Sequence, residues 1–407
     1  MHPESNVSMN PATMPPQPLQ SSRSEDSDKS APNDATTQGL ICMWHGLSVS
    51  GLLRMLNHRP QFAWSYSGRW ASIAALSVIN SAENAVESIV YGRKVARTQI
   101  QHPPIFILGH WRSGTTLLHN LMTLDPLVTF PNLYECMYPG HFLLTENVVS
   151  RFTGFFVPKK RPMDNMATGW KMPQEDEIAL ALDCGISPYL MLALHMRPDI
   201  YGRFFDPREM TPQERARWKR SLLTLMKKLT IRKNASIVMK SPSHTYRIPI
   251  LLEMFPNAKF VYIYRDPYAV YKSTLHLRNT MFAENSLGPP NLSGTETEMI
   301  HFYDKCIRTY EETKSLIPKG NLHEVKFEEL EVDPLGELAQ TYRALNLSGW
   351  SDVEAAIRNE LPSLSAYKKN SFRMDRESME KIYSRFKWVF DLYGYSSRLE
   401  NADAQRS

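Results

Sequence analysis

Ile105-Phe-Ile-Leu-Gly-His-Trp-Arg-Ser-Gly-Thr-Thr-Leu-Leu-His-Asn-Leu-Met122 is the stretch on which the fold turns. Its first four residues are an apolar run of strand formers bounded by Pro104 and Gly109, which predicts a short buried strand. Leu117 to Met122 continues as a helix. A strand, a glycine-bearing turn and a helix start in direct succession form a cradle for an anion, because the N–H groups of the first helical turn and the helix dipole converge on it.

Similar apolar runs recur outward from this point: Ser236-Ile-Val-Met-Lys240, Lys259-Phe-Val-Tyr-Ile-Tyr264 and Leu322-His-Glu-Val-Lys-Phe327. Helical stretches separate them. Thr211-Pro-Gln-Glu214 is a capping box with proline at the first helical position, opening a helix to about Thr230. Asp266-Pro267 marks another helix start, and Ser351-Asp-Val-Glu354 offers a second capping box, followed by helices and loops to Tyr395. Strands alternating with helices predict an α/β fold with a mostly parallel central sheet flanked by helices.

Ahead of the first strand the chain divides in two. Residues 1–39 are rich in Ser, Pro, Asn and Asp and are expected to be disordered; they lack the apolar core of a signal peptide. Residues 40–100 read as a helical extension, and residues 101–400 as the main domain. Within Trp70–Val95, Ala75, Ile79, Ala82, Val86 and Ile89 recur at spacings of three and four, with Asn80, Glu83, Asn84 and Glu87 on the other side. Such a stripe predicts a helix packed on the domain through its apolar face; the alternative is peripheral contact with a membrane surface. No run of about 18 apolar residues predicts a spanning helix, so a cytoplasmic location is expected, with membrane association as that alternative.

Across 407 residues, 22% are charged and the net charge is +5, too small a balance for general nucleic-acid binding. Cys42, Cys136, Cys184 and Cys306 are widely spaced, so reduced, buried thiols are expected rather than zinc or a disulfide framework.

The turn invites comparison with the nucleotide-triphosphatase loop G-x-x-x-x-G-K-[ST]. Gly109 and Gly114 have its spacing and Thr116 its hydroxyl, but Thr115 stands at the lysine position and the cation has moved back to Arg112. A kinase or NTPase needs that lysine and a carboxylate-held metal, so the loop points to another phosphate-bearing donor.

Arg112-Ser-Gly-Thr-Thr116 after an apolar strand resembles the 5'-phosphosulfate loop of sulfotransferases that use 3'-phosphoadenosine-5'-phosphosulfate (PAPS). Arg265, at a strand end, and Ser273, eight residues on, resemble that family's 3'-phosphate element. The resemblance runs from about Pro104 to Pro334, including Phe327-Glu-Glu-Leu-Glu-Val-Asp-Pro334, which looks like a segment bordering the nucleotide. It is nearest in pattern to the bacterial-type enzymes and more distant from the tyrosylprotein sulfotransferases.

The resemblance implies that Arg112, Ser113, Gly114, Thr115, Thr116, Arg265 and Ser273 bind PAPS, with 3'-phosphoadenosine-5'-phosphate as product and no metal. Arg112 and Lys240 are then the groups expected to stabilise the transition state, Lys240 because it ends a strand at the edge where open α/β sheets bind ligands. Glu135 is expected to be the base and His244 is the runner-up. Glu175 and Asp176, in Pro173-Gln-Glu-Asp-Glu177, are expected to face the acceptor. His110, His119 and His195 read as structural. Tyr367-Lys-Lys-Asn370 falls where relatives place a late basic segment. The acceptor could be a small molecule, carbohydrate, lipid or peptide, with Gly140–Lys171 as a candidate apolar wall. The competing readings are a P-loop kinase or NTPase and a catalytically inactive nucleotide-binding protein.

Overall fold

A computed structural model describes residues 42–154, 168–365 and 374–399. Its centre is a five-stranded sheet of order β2-β3-β1-β4-β5 with every pair parallel: β1 (Ile105–Leu108), β2 (Val128–Thr129), β3 (Ser236–Lys240), β4 (Lys259–Tyr264) and β5 (Leu322–Lys326). Phe106 lies opposite Met239 of β3 and Phe260 of β4. Successive strand residues point to opposite faces, and the apolar runs fill both. Phe106, Leu108, Ile237, Met239, Phe260 and Tyr262 join one core, while Ile105, Ile107, Val238, Val261 and Ile263 join the other.

All four predicted strands are present. β2 is new, since two residues carry no readable period, and Phe327 opens a helix instead of ending β5. From β1 the chain passes outward to β2, returns to β3, then crosses to β4 and β5. β1 is thus where the order switches, and the carboxyl ends of β3, β1 and β4 lie side by side, the usual ligand position in such sheets.

The helices are α1 (Val49–Asn57), α2 (Ser67–Arg97), α3 (Thr115–Met122), α4 (Leu133–Met137), α5 (Phe142–Thr153), α6 (Asp176–Asp183), α7 (Pro198–Tyr201), α8 (Pro212–Arg232), α9 (Ile248–Met254), α10 (Pro267–Asn285), α11 (Thr295–Thr313), α12 (Phe327–Val332), α13 (Pro334–Ala344), α14 (Trp350–Ser365) and α15 (Arg376–Tyr393). The capping box of α8 forms as predicted: Glu214 N–H donates to Thr211 Oγ1 (3.2 Å) and Thr211 N–H to Glu214 Oε2 (2.9 Å). Asp266 caps α10 by accepting from Tyr268 N–H at 2.9 Å. The box expected at Ser351 does not form. Gly349, at φ +83°, turns the chain so that Trp350 already opens α14, leaving Ser351 inside the helix.

α2 corrects a second expectation, because its apolar stripe does not face the domain. Val78, Ile79, Val86, Ile89 and Val90 are all exposed, Ile89 to 83%, whereas Asn80 and Glu87 are buried. The polar side is the inner side. Asn80 Nδ2 donates to the carbonyls of His45 (2.8 Å) and Leu47 (2.9 Å), Glu87 pairs with Lys228, and Glu83 meets His141 at 3.2 Å. Buried carbonyls and a buried lysine need hydrogen-bond partners, and this demand outweighs the pull of the stripe toward the core.

The four cysteines are free and buried. Residues 1–39 and 367–370 lie outside the described residues, as does most of 155–171.

Candidate active site

The loop between β1 and α3 is shaped by backbone conformation. Gly109 (φ +142°) and Gly114 (φ +104°) adopt values that favour glycine. Space forbids other residues as well: a Cβ on Gly109 would stand 2.5 Å from the Ile263 carbonyl, and one on Gly114 would stand 2.2 Å from the Phe327 ring. Arg112 also sits in the left-handed region, at φ +69°, a conformation that costs a non-glycine residue about 1 kcal/mol or more. Ser113 and Thr115 are buried in the turn and Thr116 follows in the first turn of α3, where backbone N–H groups remain for an anion.

The two halves of the expected donor site meet here. Arg112 Nε donates to Ser273 Oγ at 2.7 Å, and Arg265 donates through Nη1 to the Arg112 carbonyl at 3.3 Å. The Arg265 guanidinium stacks 4.0 Å from the centre of the Phe327 ring. Its burial lowers its pKa from the usual arginine value, opposed by Glu328 and Glu331; a guanidinium carried into such a position suits an anionic partner. Residues 153 and 161 apart in sequence thus converge at the ends of β1 and β4.

Beside them, at the end of β3, three consecutive acidic residues meet a lysine, a histidine and an arginine. Lys240 Nζ lies 2.6 Å from Glu175 Oε1, His244 Nε2 lies 2.8 Å from Asp176 Oδ2, and Arg247 Nη1 lies 2.7 Å from Glu177 Oε2. The match follows from geometry: Glu175 precedes α6 while Asp176 and Glu177 form its first turn, and Lys240 ends β3, His244 lies in the 3₁₀ turn at Pro242–Tyr246 and Arg247 follows that turn.

Access grades the ladder. The side chains of Asp176, His244, Glu177 and Arg247 are 0% exposed, but that of Glu175 is 12% exposed. Glu175 also accepts from the Tyr189 hydroxyl, which in turn accepts from Trp111 Nε1 (3.3 Å) in the donor loop. The chain Trp111–Tyr189–Glu175–Lys240 therefore links the anion loop to the end of β3.

Two expectations change. Asp176 and His244 meet each other at 2.8 Å with both side chains fully buried, and the His244 ring packs edge-on against Phe106 of β1, which leaves neither exposed to an acceptor in this structure. Glu135 is wholly buried and both its oxygens are engaged, Oε1 by Arg232 and Oε2 by the Asn132 N–H (2.8 Å) in the capping box of α4. Burial pushes its pKa up to about 7, Arg232 opposing. That value would suit a base, but the hydrogen bonds describe a carboxylate that joins α4 to the end of α8.

His110, His119 and His195 are buried and neutral, the first and last pushed down to about 3 and about 4 by burial. Among the described residues no group of His, Cys, Asp and Glu could hold a metal ion. Sequence reading missed Tyr189, Glu177 and Arg247. The last two could have been suspected from acids at 175, 176 and 177 beside cations at 240, 244 and 247; nothing in the sequence marks Tyr189.

A parallel α/β sheet with a glycine-bearing loop and two arginines at its carboxyl edge is the class of α/β fold that offers an anionic group a site there. Residues 103–352 match the model of a sulfotransferase family. The chain belongs to that family, whose reaction is transfer of a sulfuryl group. It is 37% identical over 356 residues, 87% of its length and 91% of theirs, to the omega-hydroxy-beta-dihydromenaquinone-9 sulfotransferases Stf3 of Mycobacterium bovis and Mycobacterium tuberculosis. Its fold is similar to sulfotransferase STF9 of Mycobacterium avium (TM-score 0.62, 20% identity, 88% of this chain and 92% of that one). It is also similar to STF1 of Mycobacterium tuberculosis (TM-score 0.52, 15% identity, 83% and 90%).

Proposed function

We propose that the protein moves the sulfuryl group of PAPS to the terminal hydroxyl of a lipid-like acceptor of the hydroxylated isoprenoid quinone class, with Glu175 as the base. The observation that carries this reading is the convergence of Arg112, Ser273 and Arg265 beside the Lys240–Glu175 pair. Ser113, Gly114, Thr115 and Thr116 offer backbone N–H groups and hydroxyls to the 5'-phosphosulfate, while Arg265 and Ser273 take the 3'-phosphate. The acceptor class rests on the likeness to the Stf3 enzymes, whose name states a hydroxylated menaquinone.

In the reaction the acceptor oxygen forms a bond to sulfur as the bond from sulfur to the bridging phosphate oxygen breaks. The electron pair of that bond stays on the 5'-phosphate of the departing 3'-phosphoadenosine-5'-phosphate. Arg112 and Lys240 meet the charge that builds there, which fixed cations do without reorganisation. The acceptor hydroxyl proton passes to Glu175. Lys240 and Tyr189 hold one oxygen of that carboxylate each, fixing its orientation, and its partial exposure leaves it reachable, which the wholly buried Glu135 is not. Cations supply the charge stabilisation directly, so the proposed transfer needs no metal.

The test is sulfuryl transfer from labelled PAPS to a panel of terminally hydroxylated isoprenoid quinones. Transfer that survives EDTA, is nearly lost in Glu175→Gln and is retained in Glu135→Gln supports the assignment. Retained activity in Glu175→Gln with loss in Glu135→Gln returns the role of base to Glu135. Turnover of ATP with no transfer would favour a kinase or NTPase, and tight product binding with no transfer to any acceptor would favour an inactive binding protein.

A further inference from the structure

The outward face of α2 asks for a partner. Along one side of the helix lie Ala75, Ile79, Ala82, Val86, Ile89 and Val90, at spacings of three and four, and Ile79, Val86, Ile89 and Val90 are 52%, 47%, 83% and 57% exposed. From Ala75 to Val90 this stripe is about 24 Å long at 1.5 Å per residue. A soluble helix ordinarily turns such a stripe to the core. Here the inner side is already taken by Asn80, Glu83 and Glu87 and their partners, so rotation of the helix would take the carboxylate from the buried Lys228 and the Asn80 amide from two carbonyls. The apolar side is held outward by its polar side.

Charge on the face selects the partner. Arg93 and Arg97 continue the same spacing, and Lys94 lies beside them; all three are exposed. The stripe itself carries no carboxylate, and the two acids of this part of the helix, Glu83 and Glu87, are turned to the inner side and paired. Just ahead of the helix, Phe62 and Trp64 stand exposed to 56% and 84%. An apolar stripe with aromatic residues at one end and only cations at the other fits the boundary of an anionic lipid surface, where acyl chains take the stripe and headgroups take the cations. A second copy fits worse: two such faces bring no carboxylate opposite Arg93, Lys94 or Arg97. No helix among the described residues is long and apolar enough to cross a membrane.

We infer that α2 docks the protein on anionic bilayers, lying in the interface plane through Ile79, Val86, Ile89 and Val90 with Arg93, Lys94 and Arg97 on the headgroups. This inference stands on the exposed face alone and does not depend on the identity of the acceptor or on PAPS use.

The experiment is flotation of the full chain with vesicles of phosphatidylcholine alone and of phosphatidylcholine mixed with phosphatidylglycerol, alongside light scattering of the free protein. Binding is expected only with the anionic vesicles and should fall as salt rises. Ile89→Glu should abolish it. Arg93→Gln with Arg97→Gln should weaken it roughly tenfold to thirtyfold, since each cation near an anionic surface contributes about fivefold. Because these side chains are exposed, the melting temperature and binding of 3'-phosphoadenosine-5'-phosphate should stay at the wild-type values, which separates lost docking from lost folding. No flotation with a monomeric protein overturns the inference. A dimer that Ile89→Glu dissociates, without flotation, overturns it in favour of a second copy as the occupant.

Discussion

The carboxyl edge of the sheet and the outer surface of α2 break the usual pattern in opposite senses. At the sheet edge charge is buried: Glu175, Asp176 and Glu177 meet Lys240, His244 and Arg247 one for one. On α2 apolar groups are exposed while Asn80 and Glu87 are buried. The difference lies in where the partners come from. Each residue of the ladder has a partner across it, which is what holds α6 to the end of β3, and only the first rung is partly open. The α2 stripe finds no apolar partner among the described residues, so that face is a surface for something else. An inverted pattern that is internally satisfied marks structure, and one that is not marks a contact.

The widest separation between these rungs should come from activity. Glu175→Gln is expected to lower kcat by roughly a hundredfold to ten-thousandfold, the range for loss of a positioned base, with little change in affinity for 3'-phosphoadenosine-5'-phosphate. Steady-state kinetics with calorimetry checks both. At the other end of the ladder, Arg247→Met should leave Glu177 buried and uncompensated, costing about 3–5 kcal/mol of stability by urea unfolding. Adding Glu177→Leu should recover part of that loss. A double variant no more stable than the single would mean that the pair is not simply scaffold.

Glu135 sharpens the distinction through pH. Burial raises its pKa to about 7 from 4.5, so the folded state favours the protonated form. Its contribution is fully present below the unfolded value and is lost as pH rises through about 7, by at most about 3 kcal/mol. Glu135→Gln should therefore flatten the fall in stability between acid and neutral pH, read as urea midpoints at the two ends. The smallest effect is expected on the outer side of α2. Asn80→Ala should cost about 1–3 kcal/mol, because two buried carbonyls lose their donor, while Val78→Ser on the outer side should change stability by less than about 0.5 kcal/mol.

Legibility in the sequence followed the range of the interactions. β1, its loop and the three other long strands are readable because each is set by a local run of residues, and Arg265 and Ser273 because their spacing is fixed by one strand end and one helix. β2 is not, being two residues held by β3. The resemblance implies that Arg112, Ser273 and Arg265 share one site, and contacts of 2.7 and 3.3 Å bring the three together. The ladder was half legible: the acids were noted, but their partners lie about 65 residues away and pair through packing that no local pattern encodes. Asp176 and His244 read from the sequence as acceptor residues, whereas the structure pairs them with each other in the interior. The orientation of α2 was misjudged for the same reason, since the stripe is local while Lys228 and the His45 and Leu47 carbonyls that decide its rotation are not.

The central claim is a donor site built by Arg112, Ser273 and Arg265, and its most direct measurement is calorimetric binding of 3'-phosphoadenosine-5'-phosphate to the wild-type chain and to Arg265→Ala, with ATP as competitor. Micromolar binding to the wild type, lost in the variant and little affected by ATP, is the predicted result. Absence of binding, or equal preference for ATP, would contradict it.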